Sequence, residues 1–270
     1  MEEITPIKVK LQTEGNFVKI FTLSDLHIGS AQCDIKLIKE TIEFIKNTKD
    51  CYVILLGDIL DTALKTSKTD IYSETLSLAE SQKLAVELLT PIKDRIIAMT
   101  PGNHENRVWK EVGIDLSLWL AEKLGLQEVY RNNCILANIS FGKDNNGYPY
   151  LLNIFGQHGA YGGGRKLGAA MNALEDLDGI VANADIYVRA HTHSSVQGSR
   201  KVYTLNDKGN IETKYKYYFN SASFLLTGGY ALEKGYRPQD NTPYYLLVRA
   251  YNERKGSRLN KYFKVDKISL

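Results

Sequence analysis

Short apolar runs alternate with segments of helical periodicity through the first half of the chain. The runs at 17–23, 52–56 and 96–99 have the length and composition of strands, and the last two are continuously apolar, as buried parallel strands are. Isoleucines recur at a 3-4-3 spacing across 35–45, which predicts an amphipathic helix with Asp34 as its N-cap. Such alternation is typical of an α/β fold.

The rest of the pattern predicts further helices and a strand-rich second half. Helices are expected over 73–89, 114–124 and 166–182. Strands are expected at 151–155, 186–189, 215–220, 244–251 and 259–265, the last two forming a hairpin through 252–257. We expect a single domain over residues 1–270, because mixed α/β folds often use this much chain as one domain.

Composition and charge are those of a soluble globular protein. The hydrophobic fraction is 43% and the charged fraction 24%, and a net charge of +3 is too small to argue for nucleic acid by itself. The N-terminus lacks the apolar run of a signal peptide and no stretch approaches a membrane span, so we expect no membrane partner. Cys33, Cys51 and Cys134 are odd in number and far apart, which fits unpaired thiols in a reducing cytoplasm.

All five histidines lie in short motifs of metal-binding residue types, and each motif follows a predicted strand. In chain order the motifs are Asp25-Leu26-His27, Gly57-Asp58-Ile59-Leu60-Asp61, Gly102-Asn103-His104-Glu105, Gly156-Gln157-His158-Gly159 and His191-Thr192-His193. Ligand sites of open α/β sheets form at the carboxyl ends of the strands, because the loops converge there. Imidazole is the commonest metal ligand, so the sequence predicts a metal site, with two ions.

Two motifs place metal-binding side chains one residue apart. Alternating positions at a strand end can face the same side, so Asp25 with His27, and His191 with His193, could each grip an ion. Taken singly, Asp-x-His is a weak signal, since a turn aspartate beside a surface histidine is the commoner explanation. His158 stands beside glycines, which let backbone and ligand approach closely.

Two other motifs contribute oxygen ligands. Asp58 has two carboxylate oxygens and can bridge two cations, whereas Asp61 is expected to orient a ligand or to serve as a helix N-cap, with the N-cap or a structural role favoured. Asn103 has an amide oxygen that suits Mn, Mg or Fe, and its neighbour His104 should point away from that ion toward substrate. The alternative is a helix N-terminus, with Asn103 as the cap and Glu105 in the first turn.

The ordered set of motifs resembles the calcineurin-like metallophosphoesterases, whose pattern is Asp-x-His, Gly-Asp-x-x-Asp, Gly-Asn-His-Asp/Glu, a single His and Gly-His-x-His. The match runs from residue 24 to residue 193 and departs once, where Ala190 replaces the last motif's glycine. One methyl group should slightly restrict the backbone there and puts neither histidine in doubt. The resemblance implies a four-layer αββα sandwich of two mixed β-sheets flanked by helices.

The resemblance also implies a role for each residue. The metal ligands would divide into two sets that share one carboxylate: Asp25, His27, Asp58 and His193 for one ion, and Asp58, Asn103, His158 and His191 for the other. His104 would not bind metal, but would contact the phosphate and protonate or stabilise the departing oxygen. The resemblance implies two divalent ions. Manganese is the favoured metal, and iron, zinc, cobalt or nickel are alternatives, because mixed nitrogen and oxygen ligands suit all of them.

Two departures from other branches favour the nuclease and phosphodiesterase branch of the family. Thr62 stands where the family's protein serine/threonine phosphatases carry an arginine, and Asp61 where its purple acid phosphatases carry a tyrosine. The implied activity is hydrolysis of a phosphate ester, with a diester in a nucleotide or nucleic acid as the favoured substrate. The alternatives are a phosphomonoesterase and a catalytically silent scaffold, and the complete ligand set argues against the scaffold.

Two further segments offer candidate substrate contacts. The stretch 161–166, which includes Arg165, could hold a second phosphate at a helix N-terminus, or could be a plain glycine-rich connection. The C-terminal cations could track a nucleic-acid backbone, or could be the solvated face of a hairpin. They are Arg254, Lys255, Arg258, Lys261, Lys264 and Lys267.

Overall fold

The structure is a computed structural model that describes residues 4–67, 71–159, 166–206, 209–228, 235, 237–255 and 258–270. The strands in this part of the chain are β1 Ile7–Lys10, β2 Phe17–Leu23, β3 Cys51–Leu55, β4 Ile96–Met99, β5 Ile135–Phe141, β6 Tyr150–Gln157, β7 Ile186–Arg189, β8 Gln197–Leu205, β9 Ile211–Asn220, β10 Tyr244–Lys255 and β11 Arg258–Ser269. The α-helices are α1 Ile35–Asn47, α2 Leu78–Leu89, α3 Glu105–Val112, α4 Leu116–Leu124 and α5 Leu167–Glu175. Short 3-10 helices lie at Ile71–Ser73, Thr90–Arg95, Gln127–Val129 and Asp176–Gly179.

The strands form two mixed sheets. One has the order β1-β5-β6-β7-β9-β8 and the other the order β11-β10-β2-β3-β4. Three neighbouring strands run parallel in each sheet: β6, β7 and β9 in the first, and β2, β3 and β4 in the second. The carboxyl ends of each parallel set therefore lie at one edge, which is where ligand-binding loops gather.

The two sheets pack face to face, with helices on both outer faces. Apolar side chains of β2 and β3, such as Val18 and Ile54, form one core with residues of β6 and β7, such as Ile154 and Val188. The opposite face of β2 and β3 packs against α1, α2 and α4, while α5 covers the outer face of the first sheet. This is the predicted four-layer αββα sandwich.

Several predicted elements are confirmed, some to the residue. The strands at 17–23, 96–99 and 186–189 have the expected bounds, and the hairpin of β10 and β11 pairs in antiparallel fashion. Asp34 caps α1 by accepting a hydrogen bond from the backbone N–H of Leu37 at 2.9 Å. The hairpin strands run longer than expected, and their connection at 256–257 lies outside the described residues.

Other predictions need correction. The helix expected from residue 73 begins at Leu78, because Ser77 and Glu80 form a capping box that fixes its first turn. The helix expected over 166–182 ends at Glu175 and continues only as a 3-10 turn. Three strands were not predicted, namely β1, β5 and β8, and α3 was expected only as the alternative interpretation of the third motif. The helices within the described ranges are all too short or too polar to span a lipid bilayer.

Candidate metal centre

The five predicted motifs each follow a parallel strand at its carboxyl end. The loops after β2, β3 and β4 carry the first three motifs, and the loops after β6 and β7 carry the last two. Although these loops come from different sheets, they meet: His158 Nε2 lies 3.1 Å from Asp58 Oδ2, across the gap between the sheets. The candidate centre is therefore assembled at the shared edge of both sheets.

Left-handed backbone conformations recur in these loops. Asp25, His27, Asp58, His191 and His193 have φ values of 51°, 48°, 50°, 70° and 54°. Such conformations cost non-glycine residues on the order of 1–3 kcal/mol each and persist only where neighbours hold them. Two backbone hydrogen bonds join the first two loops. The N–H of Asp25 donates to the carbonyl oxygen of Gly57 at 3.1 Å, and the N–H of His27 donates to the carbonyl oxygen of Asp58 at 3.0 Å.

The first ligand group is Asp25, His27 and His193. Their ligand atoms all lie within 4.8 Å of one another. His193 Nε2 is 3.1 Å from Asp25 Oδ1 and 3.4 Å from His27 Nε2. These are the predicted ligands of one ion, apart from the carboxylate that the two ions would share.

The second ligand group is Asp58, His158 and His191, whose ligand atoms also lie within 4.8 Å of one another. Asn103 joins it, with Oδ1 3.0 Å from His158 Nε2. Asp58 Oδ2 is 3.9 Å from His27 Nε2 of the first group, so Asp58 lies between the groups. The structure thus brings together all seven residues that were predicted to bind metal.

Two imidazoles are oriented in the way that metal-binding histidines usually are. His158 Nδ1 lies 2.6 Å from the carbonyl oxygen of Leu56, and His27 Nδ1 lies 2.9 Å from Asp61 Oδ1. Each ring therefore donates its Nδ1–H to an oxygen and turns Nε2 toward the carboxylates, which is the usual arrangement around a bound metal.

The electrostatics of the site also fit a cation. Burial would raise the pKa of Asp58, but the charges of His158 and His104 hold it well below its ordinary value. Burial lowers the pKa of His158, but the Asp58 carboxylate outweighs this and raises it to about 9. Asp25 Oδ1 is buried and faces His193 Nε2 at 3.1 Å, while Asp25 Oδ2 accepts hydrogen bonds from Ser24 Oγ and the backbone N–H of His191. A buried carboxylate oxygen that faces an imidazole nitrogen at this distance suits a metal ion held between the two.

His104 lies at the side of the two groups and has partners of its own. Its Nδ1 is 2.8 Å from Asp61 Oδ1, and its Nε2 accepts a hydrogen bond from Arg107 Nη2 at 2.8 Å. Its Nε2 is also 3.9 Å from Asp58 Oδ2, so His27, Asp58 and His104 form a third group of potential ligands. Because the cationic Arg107 contacts its Nε2, His104 is less available to a metal than His158, whose Nε2 faces the Asp58 carboxylate.

Asp61 is a correction in part. The predicted N-cap role is wrong, because residues 62–64 are irregular, residues 65–67 form a turn, and no helix begins within 62–67. The structural role is confirmed, because the buried carboxylate bonds to Nδ1 of both His27 and His104. Burial would raise the pKa of Asp61, but its hydrogen bonds to the two imidazoles lower it.

The third motif also differs from its alternative interpretation. Asn103 is not the cap of α3, since His104 occupies that position and the Asn103 side chain faces His158. Glu105 begins the helix as expected, but its carboxylate does more than sit in the first turn. It accepts the backbone N–H groups of Asp58, Ile59, Leu60 and Gly102 at 2.7–3.0 Å. Glu105 therefore ties the second and third loops together.

The glycines of these loops are required by close backbone contact. A Cβ on Gly57 would lie 2.1 Å from the backbone nitrogen of Gly102, and one on Gly102 would lie 2.1 Å from Asp58 Oδ1. At Ala190, by contrast, the methyl group is accommodated in the core between the sheets. The backbone N–H of Ala190 donates to the carbonyl oxygen of His158 at 3.2 Å. The replacement of glycine by alanine therefore keeps the loops after β6 and β7 joined.

Arg107 and Glu74 are neighbours of the site that the sequence did not reveal. Arg107 lies one helical turn after His104, so its position follows once α3 is known. Glu74 accepts the N–H of Ala63 at 2.8 Å, and burial together with the nearby Asp61 carboxylate raises its pKa to about 7. No spacing signal links Glu74 to the motifs. The predicted phosphate-binding stretch at 161–166 lies, except for residue 166, outside the described residues.

Comparison with known proteins agrees with this geometry. The family model of calcineurin-like phosphoesterases matches residues 18–195, a segment that contains all five motifs. No curated protein matches the chain.

Proposed function

Since this chain belongs to the calcineurin-like phosphoesterase family, we propose that it is a metal-dependent phosphodiesterase acting on nucleotides or nucleic acid. The observation that carries the proposal is the pair of ligand groups that meet at Asp58. Members of the family that serve only as scaffolds would not need this complete donor set. The diester preference rests on Asp61 and Thr62, which differ from the residues expected in the other branches.

On this proposal two divalent ions bind at the shared sheet edge, and manganese is the first candidate for both. One ion would be held by Asp25, His27 and His193, and the other by Asn103, His158 and His191. Asp58 would bind both ions. Bound there, such ions supply positive charge for the phosphoryl oxygens and lower the pKa of the attacking water. The protein's own part is to fix seven donors on strand ends, so that little reorganisation is needed when substrate binds.

His104 is the proposed proton donor to the departing oxygen. Its Nδ1–H is committed to Asp61, so Nε2 is the atom that faces substrate. Arg107 Nη2 lies 2.8 Å from that nitrogen in the neutral ring, a contact that must open when Nε2 takes up the proton it is to deliver, and the other terminal nitrogen, Nη1, is buried with no hydrogen-bond partner among the described residues. A guanidinium with a free donor beside the proposed acid supports a contact to a phosphate oxygen, which Arg binds well.

The proposal also places the protein in a reducing cytoplasm. Cys33, Cys51 and Cys134 are all free thiols in the structure. Burial raises the pKa of Cys33 and of Cys51 to about 12, so neither thiol is poised to react.

The test is a comparison of two chromogenic substrates. The protein loaded with Mn²⁺ should hydrolyse bis(p-nitrophenyl) phosphate with a higher kcat/KM than p-nitrophenyl phosphate, and the same protein treated with EDTA should hydrolyse neither. A higher kcat/KM for the monoester would instead identify a phosphomonoesterase. Absence of hydrolysis in a sample shown to contain two metal ions would identify a silent scaffold.

A further inference from the structure

A groove of about 340 Å³ lies beside the candidate metal centre, between the β8–β9 hairpin and β11. Gln197 and Ser199 of β8 form one wall, with Tyr217 of β9 beside them, and Asp266 and Lys267 of β11 form the other. The groove therefore runs between the edge strands of the two sheets.

The groove opens next to the last histidine motif. Lys267 Nζ donates a hydrogen bond to Ser195 Oγ at 2.5 Å, and Ser195 follows His193 by two residues. Asp266 is already paired with Arg249, at 2.5 Å. The ammonium group of Lys267 is therefore a cation close to the centre, within reach of a second anionic group of a bound substrate.

The same face of the hairpin continues outward from the groove as a row of aromatic and cationic side chains. Cross-strand pairing sets Ser199 opposite Tyr217 and Lys201 opposite Tyr215, and alternation places Tyr203 on this face too. Tyr215 is 44% exposed and Tyr203 is 68% exposed, so their rings are open to a ligand. Lys201 Nζ lies 5.0 Å from the centre of the Tyr203 ring.

The dimensions and chemistry of this row suit a chain of unpaired nucleotides. At about 3.3 Å per strand residue, the row extends roughly 20 Å from the start of β8 to Tyr203. Proteins bind single strands by combining cations for the backbone with aromatic rings on which bases stack. Bases in a duplex are already stacked, so exposed tyrosines favour a single strand.

We propose that this row, named here the hairpin track, binds single-stranded nucleic acid and leads it to the metal centre, with Lys267 and Lys201 at backbone phosphates and Tyr215 and Tyr203 stacked on bases. The inference rests on the proposed phosphodiesterase function and specifies its substrate class.

The test measures binding of a fluorescein-labelled 12-nucleotide poly(dT) strand by anisotropy, using Mn²⁺-loaded His104→Ala protein as the background so that the probe is not cleaved. Tyr203→Ala should weaken binding roughly 5- to 150-fold, the range found for loss of one stacking ring. Lys201→Ala should lower the slope of log affinity against log salt by about 1, as expected for one lost phosphate contact.

Lys214→Ala is the matched control. Lys214 is an exposed lysine of the same hairpin, but it pairs with Val202 and so lies on the opposite face. It should leave both the affinity and the salt slope unchanged. Equal losses in the Lys201 and Lys214 variants would overturn the hairpin track, because they would indicate diffuse attraction to a basic hairpin.

Unchanged affinity in the Tyr203 variant would also overturn the inference. If sedimentation then showed a wild-type dimer that Tyr203→Ala dissociates, the exposed tyrosine would belong to a self-association surface. The binding experiment does not depend on turnover. If the protein hydrolysed no diester, the proposed function would be wrong, but the comparison of affinities among the variants would still test the hairpin track.

Discussion

The imidazole of His104 is fixed at both ring nitrogens, by Asp61 on one side and Arg107 on the other. Burial would lower its pKa, but the carboxylates of Asp58 and Asp61 raise it above its ordinary value. With cations bound at Asp58 the hydrogen bond to Asp61 would persist, and it favours the protonated ring, which is the form that can give up a proton.

We therefore expect His104→Ala to lower kcat while the protein keeps its metals. General acid–base groups typically contribute about 10²–10⁴-fold to the rate. Metal content would be measured by atomic spectroscopy, and kcat on diesters with good and poor leaving groups. The loss should be larger for the poor leaving group, which needs a proton more. Equal losses on both would contradict the proton-donor role.

A second residue-scale prediction concerns Asp185, at the opposite end of β7 from the metal centre. Burial raises its pKa from 3.8 to about 6, although its carboxylate accepts the N–H of Asn153 at 2.8 Å. The folded protein thus binds a proton that the unfolded chain has released between about pH 4 and pH 6, so stability is lost as pH rises through that window.

Asp185→Asn should remove this dependence, because a carboxamide does not titrate and its oxygen can still accept from Asn153. Relative to wild type, the variant should gain on the order of 1–2 kcal/mol in free energy of unfolding between pH 4 and pH 6, less than the full value of about 1.4 kcal/mol per pKa unit because the side chain is partly exposed. Urea unfolding across this range measures the difference. A constant difference would show that folding does not shift the pKa of Asp185.

At this scale the sequence indicated which residues the structure brings together but not how they are held. The seven predicted ligands could be recognised because their types and order are distinctive and each follows a strand, and their role in metal binding stays a prediction. The partners of Asp61 could not be predicted, because its carboxylate contacts His27, 34 residues earlier, and His104, 43 residues later. The role of Glu74 was hidden for the same reason.

At the scale of elements, the second and third loops behave as one unit because Glu105 accepts four backbone N–H groups from them. One carboxylate oxygen serves Ile59 and Leu60, and the other serves Asp58 and Gly102. A carboxamide in the same place would offer only one accepting oxygen and would turn N–H groups toward two of the four donors.

Glu105→Gln should therefore destabilise the protein by about 2–6 kcal/mol, since each of the two unsatisfied buried donors costs roughly 1–3 kcal/mol. Glu111→Gln is the matched control, because Glu111 is an exposed residue of the same helix. It should change stability by no more than about 0.5 kcal/mol. Urea unfolding in EDTA measures both, and equal effects would show that the four bonds contribute little.

The elements that pattern predicted well are those with a continuous apolar run or a regular apolar stripe, such as β3, β4 and α1. In β5 buried and half-buried positions alternate, with Asn138 and Ser140 on the less buried face, so the apolar signal is diluted. α3 has only eight residues, and in its interior Val108 alone is buried and apolar. Its position follows from the contacts of Glu105, which a local pattern does not show.

At the scale of the whole molecule, the segment after the family match completes both sheets. β8 and β9 extend the first sheet beyond β7, and β10 and β11 extend the second beyond β2. Both extensions share the core between the sheets, through Phe219 and Val248. This supports the prediction of a single domain over residues 1–270, which stays a prediction.

Metal binding should stabilise the whole fold, because the unfolded chain cannot present the assembled ligands. A free ion concentration of 100 times Kd would contribute about 2.7 kcal/mol, which corresponds to a rise in Tm of roughly 5–10 °C for a chain of this size. Calorimetry with Mn²⁺ and with EDTA measures this shift.

Asp58→Asn should abolish most of the metal-induced rise, since Asp58 lies between both groups. Asp94→Asn, at an exposed position remote from the motifs, should preserve it. If the Asp58 variant kept the full rise in Tm, the shared carboxylate would not be needed for either ion.

The left-handed backbone at Asp25 and Asp58 has a consequence for how this protein can change over generations. Asparagine tolerates that conformation as readily as aspartate does, and it differs by a single atom. One nucleotide change at either codon would therefore produce a chain that still folds but has lost the proposed hydrolytic activity. Inactive copies of this gene should arise easily and be retained wherever the folded surface alone is useful.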